Sequence, residues 1–194
     1  MMKLWKSLVV AGVCAATLSG CVGLVAGGAV GATLVATDRR TSGAYADDRV
    51  IETRSAAKIA ERLPSAHVNV TSFNRAVLLT GEVPSAEARA QAEQLVRGQP
   101  GVQKTWNYLV VAPASPLSAR SSDTWITSKV RARMLDGQGF SPNAVKVVTE
   151  RGVVYLLGLV TPAEGDAAAR VASETAGVAQ VITVFEPISE IRAQ

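Results

Sequence analysis

The chain has 194 residues, with 48% hydrophobic and 19% charged positions and a formal net charge of +4. This length allows one ordinary domain or two small ones. An isoelectric point of about 9.3 does not indicate a nucleic-acid partner, and we expect none, because two of the 20 basic residues lie among the first six and local clustering of charge matters more than its total.

The first 20 residues have the three parts of a secretory signal peptide. Lys3 and Lys6 give a positive start, residues 8–18 form an apolar run, and the small residues Ser19 and Gly20 follow. The apolar run is shorter than the roughly 20 residues that a bilayer-spanning helix needs. We therefore expect residues 1–20 to be removed from the mature protein.

The segment Leu18-Ser19-Gly20-Cys21 is similar to the lipobox of bacterial lipoproteins. The resemblance implies that the Cys21 thiol is diacylated, that the chain is cut before Cys21, and that the new amine is acylated. Such anchoring is long-lived, since each buried CH₂ contributes about 0.8 kcal/mol. The alternative is an ordinary cysteine near a cleavage site.

Two further features concern the mature N-terminus. Val22 stands where inner-membrane lipoproteins of enteric bacteria carry Asp, so the resemblance implies the periplasmic face of the outer membrane, with the cell surface as the alternative. The only other cysteine, Cys14, leaves with the signal peptide. The mature chain therefore has no free thiol for a disulfide, a metal or a nucleophile.

Residues 21–46 are expected to be the lipidated cysteine and a tether. Residues 22–36 are rich in Gly, Ala and Val, with glycines four apart at Gly23, Gly27 and Gly31. This spacing can pack helices in a membrane, but 15 residues cannot cross a bilayer and glycine weakens a helix. The composition favours a flexible or interfacial spacer.

The rest of the chain is an internal repeat. The run Val77–Val83 corresponds to Val154–Val160, 77 positions later, and such self-similarity indicates duplicated structural units. Residues 112–121, with Pro113 and Pro116, separate the copies. We expect this stretch to be a linker that belongs to neither core.

Both copies predict the same order of elements, α-β-β-α-β. Asp48 and Asp123 are candidate N-caps of the first helices, and β-branched strands follow, joined by turns at Asn74-Arg75 and Arg151-Gly152. The second helices are expected at about 85–98 and 162–176, and the last strands at 102–111 and 178–186. The fold class is α+β, with a small three-stranded mixed sheet and two helices in each copy. Core positions recur at helical spacing: Ile51, Ser55, Ile59, and Ile126, Val130, Met134.

The repeat resembles the BON domain. Gly81 and Gly158, the apolar runs before them, and the Gly-Val pairs at 101–102 and 177–178 carry the match. It covers 47–111 and 122–187 and leaves 188–194 as a C-terminal tail. With the lipobox, the chain resembles dual-BON outer-membrane lipoproteins of the YraP/DolP type, most closely over 123–131. The resemblance implies a non-enzymatic protein of envelope integrity that binds anionic phospholipid.

No catalytic, metal or cofactor site is expected. The only histidine, His67, opens a predicted strand without a cysteine, an HxxxH spacing or a neighbouring carboxylate cluster, and such a residue is usually packed or solvated. The glycines after Cys21 lack GxGxxG spacing. Glu87 and Glu164 fall in first helical turns, where capping and the helix dipole explain an acid.

The segment 123–136 is the candidate lipid-binding site. At 100° per residue, Trp125 and Leu135 lie away from the core positions, with Lys129 and Arg133 on one edge and Arg131 on the other. An indole at headgroup level and cations near phosphates suit an anionic membrane surface. The alternative is that Trp125 packs against the first domain or its own sheet while the cations are merely solvated.

The role of the first copy is not assigned, and two functions are open for the whole protein. Val50 stands where the second copy has Trp125, so no role is assigned to the first copy. The phospholipid-binding lipoprotein is the main hypothesis. The alternative is a periplasmic scaffold that binds envelope proteins of outer-membrane assembly or of the cell-wall and division machinery.

Substitution of the lipobox cysteine tests the anchor. We expect Cys21→Ser to give a soluble or misprocessed protein without lipid, because no other segment of the sequence predicts an anchor. Membrane fractionation and mass spectrometry measure this. A serine variant that stays in the detergent-extracted membrane fraction, or a wild-type Cys21 without acyl chains, would contradict the lipoprotein assignment.

Overall fold

The computed structural model describes residues 38–189. The predicted signal peptide, Cys21, the glycine-rich part of the predicted tether and the last five residues lie outside the described residues. The first domain contains α1 (Ser42–Arg62), β1 (His67–Phe73), β2 (Ala76–Val83), α2 (Ala86–Arg97), β3 (Lys104–Asn107) and β4 (Val110–Val111). The second contains α3 (Leu117–Leu135), a 3-10 turn (Pro142–Ala144), β5 (Val145–Glu150), β6 (Val153–Val160), α4 (Pro162–Ser173), β7 (Gln180–Thr183) and β8 (Glu186–Pro187).

The α+β fold class and the repeated α-β-β-α-β order are confirmed. In each domain the first two strands form an antiparallel hairpin. The second strand of the hairpin also pairs in parallel with the last strand of the domain. One detail differs from the prediction, because the last strand of each domain is divided in two. In the first domain β3 and β4 both pair with the central strand β2, and in the second β7 and β8 both pair with the central strand β6. Within 38–189 no helix is long and apolar enough to cross a bilayer.

The predicted core positions of the first helices are buried. Ile51, Ser55 and Ile59 of α1 face the sheet of the first domain, and Ile126, Val130 and Met134 of α3 face that of the second. The two helices therefore use the same stripe of residues, as the 3.6-residue periodicity predicted.

The prediction that Asp48 and Asp123 are N-caps is wrong. Helix α1 begins at Ser42, inside the segment assigned to the tether, and Thr41 caps it by accepting a hydrogen bond from the Ala44 amide. Helix α3 begins at Leu117, inside the predicted linker. Both helices thus begin well before the aspartates, which lie buried within them.

The two aspartates instead accept hydrogen bonds from the hairpin turns. Asp48 accepts from the amides of Asn74 and Arg75 at 2.8 and 2.7 Å. In the second domain Asp123 accepts from Arg151 and Gly152 at 2.9 and 2.8 Å. These turns have positive φ at both central residues, as tight two-residue hairpins require, so their amides point away from the strands. A carboxylate on the neighbouring helix satisfies them.

The two domains pack together through the second face of each central strand. In β2, Val77 and Leu79 face the helices while Leu78 faces the other domain, and β6 alternates in the same way. The shared apolar cluster contains Phe73, Leu78, Tyr155, Leu157, Leu159 and Val184. Burial on both faces explains why the two central strands are almost continuously apolar in sequence.

The stretch between the domains is part of the structure. Ser115 is buried, and its amide and hydroxyl both donate to the Glu82 carboxylate of β2. The expectation that residues 112–121 belong to neither core is therefore wrong. Pro116, one of the two prolines that suggested a loose linker, instead immediately precedes the first residue of α3, and its fixed φ suits the start of a helix.

The end of the tether is fixed to the second domain by Arg39. Its guanidinium donates to both carboxylate oxygens of Glu164 at 2.7 and 2.8 Å and to the Leu159 carbonyl at 2.9 Å. Glu164 also completes a capping box with Thr161 at the start of α4. The hydrogen bonds from Arg39 outweigh the effect of burial and, with those from Thr161, lower the pKa of Glu164 to about 2.

Removal of Arg39 should weaken the fold in a pH-dependent way. Because the pKa of Glu164 is depressed in the folded state, the ion pair stabilises fully above the unfolded pKa of about 4.5 and loses its contribution as the pH falls toward 2. We expect Arg39→Gln to lower the free energy of unfolding by about 1–3 kcal/mol at pH 7. The difference from the parent with Arg39 should shrink at pH 3, as measured by urea unfolding of both proteins in the Cys21→Ser background.

A matched control is Arg49→Gln. Arg49 pairs with Glu52 at 3.6 Å, but its side chain is 70% exposed, so its loss should cost less than about 1 kcal/mol. Equal losses for the two variants, or a loss for Arg39→Gln that does not change between pH 7 and pH 3, would contradict this role of Arg39.

Candidate functional site

Helix α3 positions all five residues of the predicted lipid-binding site. It runs for 19 residues from Leu117 to Leu135, which corresponds to about 27 Å. Ile126, Val130 and Met134 hold its inner face against the sheet. The outer face is therefore fixed in direction by the core of the second domain.

The outer face of α3 carries large exposed apolar side chains. Trp125 is 66% exposed, Leu135 73% and Leu117 77%. Leu117 and Leu135 are five helical turns apart, so they point in the same direction, with Trp125 about 80° away around the helix. The alternative interpretation required Trp125 to be packed against the first domain or its own sheet, and the structure instead leaves its side chain largely exposed. We call Leu117, Trp125 and Leu135 the outer apolar face.

The three predicted cations lie beside this face, and each donates to a backbone carbonyl. The Lys129 ammonium donates to Ala176, and Arg133 donates to Glu174. Arg131 donates to Val147 at 3.3 Å. Lys129 and Arg133 thus lie at the C-terminal end of α4, where the helix dipole favours positive charge.

Part of the cationic charge is also neutralised locally. The Arg133 guanidinium lies 3.7 Å from the Glu174 carboxylate, and both side chains are about half exposed or more. Such an exposed pair is weak and can reorganise. Arg131 and Arg133 are more exposed than Lys129, so these two arginines are the cations best placed to meet a charged partner.

A second group of titratable side chains lies between the domains. His67 Nδ1 is 2.9 Å from Glu82 Oε2 across the β1–β2 pair. Glu150 of the second domain is close enough that one ligand atom from each of the three residues lies within 4.8 Å of the others. The expectation that His67 has no carboxylate neighbours is wrong, because residues distant in sequence meet at the domain interface.

The two carboxylates of this group have opposite electrostatic environments. Burial acts to raise the pKa of Glu82, but hydrogen bonds from Ser115, His67 and Arg151 outweigh it and lower the pKa to about 2. Burial also raises the pKa of Glu150, and there the hydrogen bond from Asn69 offsets it only in part. Glu82 is thus strongly paired, whereas Glu150 is a buried acid with neutral hydrogen-bond donors.

Comparison with known proteins gives the family. The BON domain matches residues 47–113 and 122–186, which is more than half of the chain. The chain belongs to the BON-domain family. It contains two BON domains and is of the DolP/YraP type, as the resemblance implied.

Relatives of this dual-BON chain are found in several bacteria. Outer membrane lipoprotein DolP of Haemophilus influenzae is 39% identical over 172 residues, covering 87% of this chain and 89% of the relative. A 21 kDa hemolysin of Actinobacillus pleuropneumoniae is 37% identical, covering 76% of this chain and 78% of the relative. Osmotically-inducible protein Y of Escherichia coli is 30% identical, covering 72% of each chain.

The two BON domains differ at their outer helix faces. In the first BON domain Val50 of α1 is exposed where the second domain exposes Trp125. Sequence reasoning missed Leu117, because the helix start was placed at Asp123. The sequence signal that could have found it is Pro116, since proline is favoured at the start of a helix.

Proposed function

We propose that this BON-domain protein is a non-enzymatic outer-membrane lipoprotein, anchored through lipid on Cys21 at the periplasmic face. We further propose that its second BON domain binds anionic phospholipid through the outer apolar face of α3 and so supports envelope integrity. The lipobox at Cys21 supports the anchor, and the relative named outer membrane lipoprotein DolP supports the membrane.

The observation that carries the lipid-binding proposal is the exposure of Trp125. A tryptophan that is 66% exposed leaves most of its large apolar ring in water, where it is available to a partner. Leu117 and Leu135 add exposed apolar side chains near the two ends of α3, so membrane contact along the helix does not rest on Trp125 alone. Tryptophan itself favours the headgroup region, because its ring is apolar and its N–H is polar.

Charge and tethering complete the proposal. Arg131 and Arg133 flank the outer apolar face, and each cation at an anionic surface contributes about 1 kcal/mol. A single tryptophan and a few cations give only weak, reversible binding. An anchor on Cys21 would hold the domain at high effective concentration near the bilayer, so weak contact is sufficient.

Replacement of Trp125 tests the contact. In the Cys21→Ser background, where no acyl chain can mask the contact, we expect Trp125→Ala to weaken binding to anionic vesicles about five- to thirtyfold, which corresponds to about 1–2 kcal/mol of lost interfacial transfer. Its thermal stability should stay close to that of the parent, because the side chain is largely exposed. Vesicle co-sedimentation and thermal unfolding on the same samples measure both.

Val50→Ala is the matched control for Trp125→Ala. It truncates the equivalent exposed residue of the first BON domain and should leave vesicle binding unchanged. A Trp125→Ala protein with a lower melting temperature but normal vesicle binding would contradict lipid contact. It would favour the alternative, a scaffold that binds envelope proteins.

The cationic rim gives a separate prediction. Arg131 and Arg133 are exposed and Gln keeps a polar side chain, so Arg131→Gln/Arg133→Gln removes charge with little structural change. We expect weaker binding to anionic vesicles, unchanged binding to zwitterionic vesicles, and a difference that shrinks as salt is added. A loss of binding that is equal on both kinds of vesicle would show that these arginines do not act through charge.

A further inference from the structure

The group formed by His67, Glu82 and Glu150 is buried between the two BON domains. Glu82 is 1% exposed and Glu150 5% exposed. His67 and Glu82 come from neighbouring strands of the first domain, and Glu150 comes from the end of β5 in the second. We call these three side chains the interface triad. One imidazole nitrogen and two carboxylates are a donor set that suits a divalent transition metal.

The internal repeat supplies a control within the same molecule. At the repeat-equivalent positions, 77 residues away, stand Ala144, Leu159 and Phe73. All three are buried in apolar clusters. At these three positions one copy of the repeat therefore has apolar side chains, and the other has two acids and the only histidine of the chain. Packing alone does not require acids here, because buried charge costs free energy that apolar side chains do not.

The two corners also differ in open space. A cavity of about 360 Å³ beside the triad is lined by His67 and Glu150 together with Asn69 and Thr127, and also by Asp123 and Arg120. The repeat-equivalent cavity is about 160 Å³ and is lined by Lys146 and Glu52 in the places of Asn69 and Thr127. Lys146 and Glu52 form an ion pair at 2.7 Å there. The triad corner thus has shorter polar side chains and room for a further group.

Glu150 is a buried acid whose partners are neutral. Asn69 donates to its Oε2 at 2.7 Å, and the Thr80 hydroxyl lies 3.5 Å from the same oxygen. Among residues 38–189 no basic side chain forms an ion pair with Glu150. A buried carboxylate in such surroundings is stabilised by a cation. The cavity gives a cation access to it.

We propose that the interface triad binds one zinc-class divalent metal ion. His67 Nδ1, Glu82 Oε2 and a Glu150 carboxylate oxygen are the ligands, and the cavity provides water for the remaining position. Two ligands of one tetrahedral ion at bond lengths of about 2.1 Å lie about 3.4 Å apart, so Nδ1 and Oε2, which are 2.9 Å apart, have to separate by about 0.5 Å. The third ligand has to approach by on the order of 1 Å.

Neighbouring groups orient the ligands. The Ser115 hydroxyl and Arg151 hold Glu82 Oε1, with the arginine at 3.2 Å, so Oε2 faces His67. Asn69 positions Glu150. Such outer hydrogen bonds are typical of metal sites. Since the ligands come from both BON domains, the bound ion joins the domains.

Zinc titration of the full mature lipoprotein in detergent tests the proposal. The protein must carry no histidine tag, so that His67 remains the only histidine. We expect calorimetry to give one zinc site per chain, and ¹⁵N NMR of labelled histidine to show a shift of the His67 ring nitrogens with the same stoichiometry. Mg²⁺ and Ca²⁺ should bind much more weakly, since they prefer oxygen-only sites.

Conservative variants identify the ligands. Glu150→Gln and His67→Gln retain a polar side chain but remove a ligand and should each weaken zinc binding at least about tenfold. Asp166→Asn, which removes an exposed carboxylate of the second domain, should have no effect. Zinc binding that is unchanged in both variants, or zinc that leaves the His67 signals of the wild type unmoved, would overturn the proposal. The wild-type histidine signal decides the question even if a variant does not fold.

Discussion

The structure depends on the burial of the two central strands on both faces. Each of β2 and β6 packs its own helices against one face and the other BON domain against the second. Within residues 38–189 this arrangement places all four helices on the outside of the domain pair. The outer faces of these helices are therefore the surfaces that are free to meet a partner, and α3 carries the largest exposed apolar side chains among them.

Because the two domains pack through equivalent faces, the side chains at the two edges of their interface can be compared position by position. One corner of the interface has Phe73 and Leu159 where the repeat-equivalent corner has Glu150 and Glu82. Arg39 binds the Leu159 carbonyl and Glu164 at the first corner, whereas Ser115 binds Glu82 at the other. The connecting segments before α1 and α3 thus occupy corresponding places in the two halves. The two BON domains differ in the side chains that these segments cover, which at the two equivalent positions are apolar in one case and acidic in the other.

Much of the fold could be predicted from the sequence, because the repeat and the helical periodicity are local patterns. The inward positions Ile126, Val130 and Met134, and the outward position of Trp125, follow from 100° per residue alone. The helix starts could not be predicted from Asp48 and Asp123, since an aspartate before an apolar stripe has the same sequence appearance whether it caps a helix or a hairpin turn. This error also concealed Leu117.

The parts of the sites that depend on distant residues could not be predicted. His67 meets Glu82 through strand register, and it meets Glu150 only because two domains pack together. The contacts of Lys129 and Arg133 with the end of α4 likewise depend on how two helices of one domain lie side by side. A sequence pattern places such residues on a face of their own element but does not show what lies opposite.

The most direct test of lipid contact by α3 is the fluorescence of Trp125 in the mature protein with the proposed anchor. With Trp5 removed in the signal peptide and Trp106 replaced by Phe, Trp125 is the only tryptophan left of the three in the chain. If α3 lies in the interface, anionic vesicles should shift the Trp125 emission to the blue, and brominated lipids should quench it. Emission that remains that of a solvated indole, without quenching, while the protein co-sediments with the same vesicles would contradict the account.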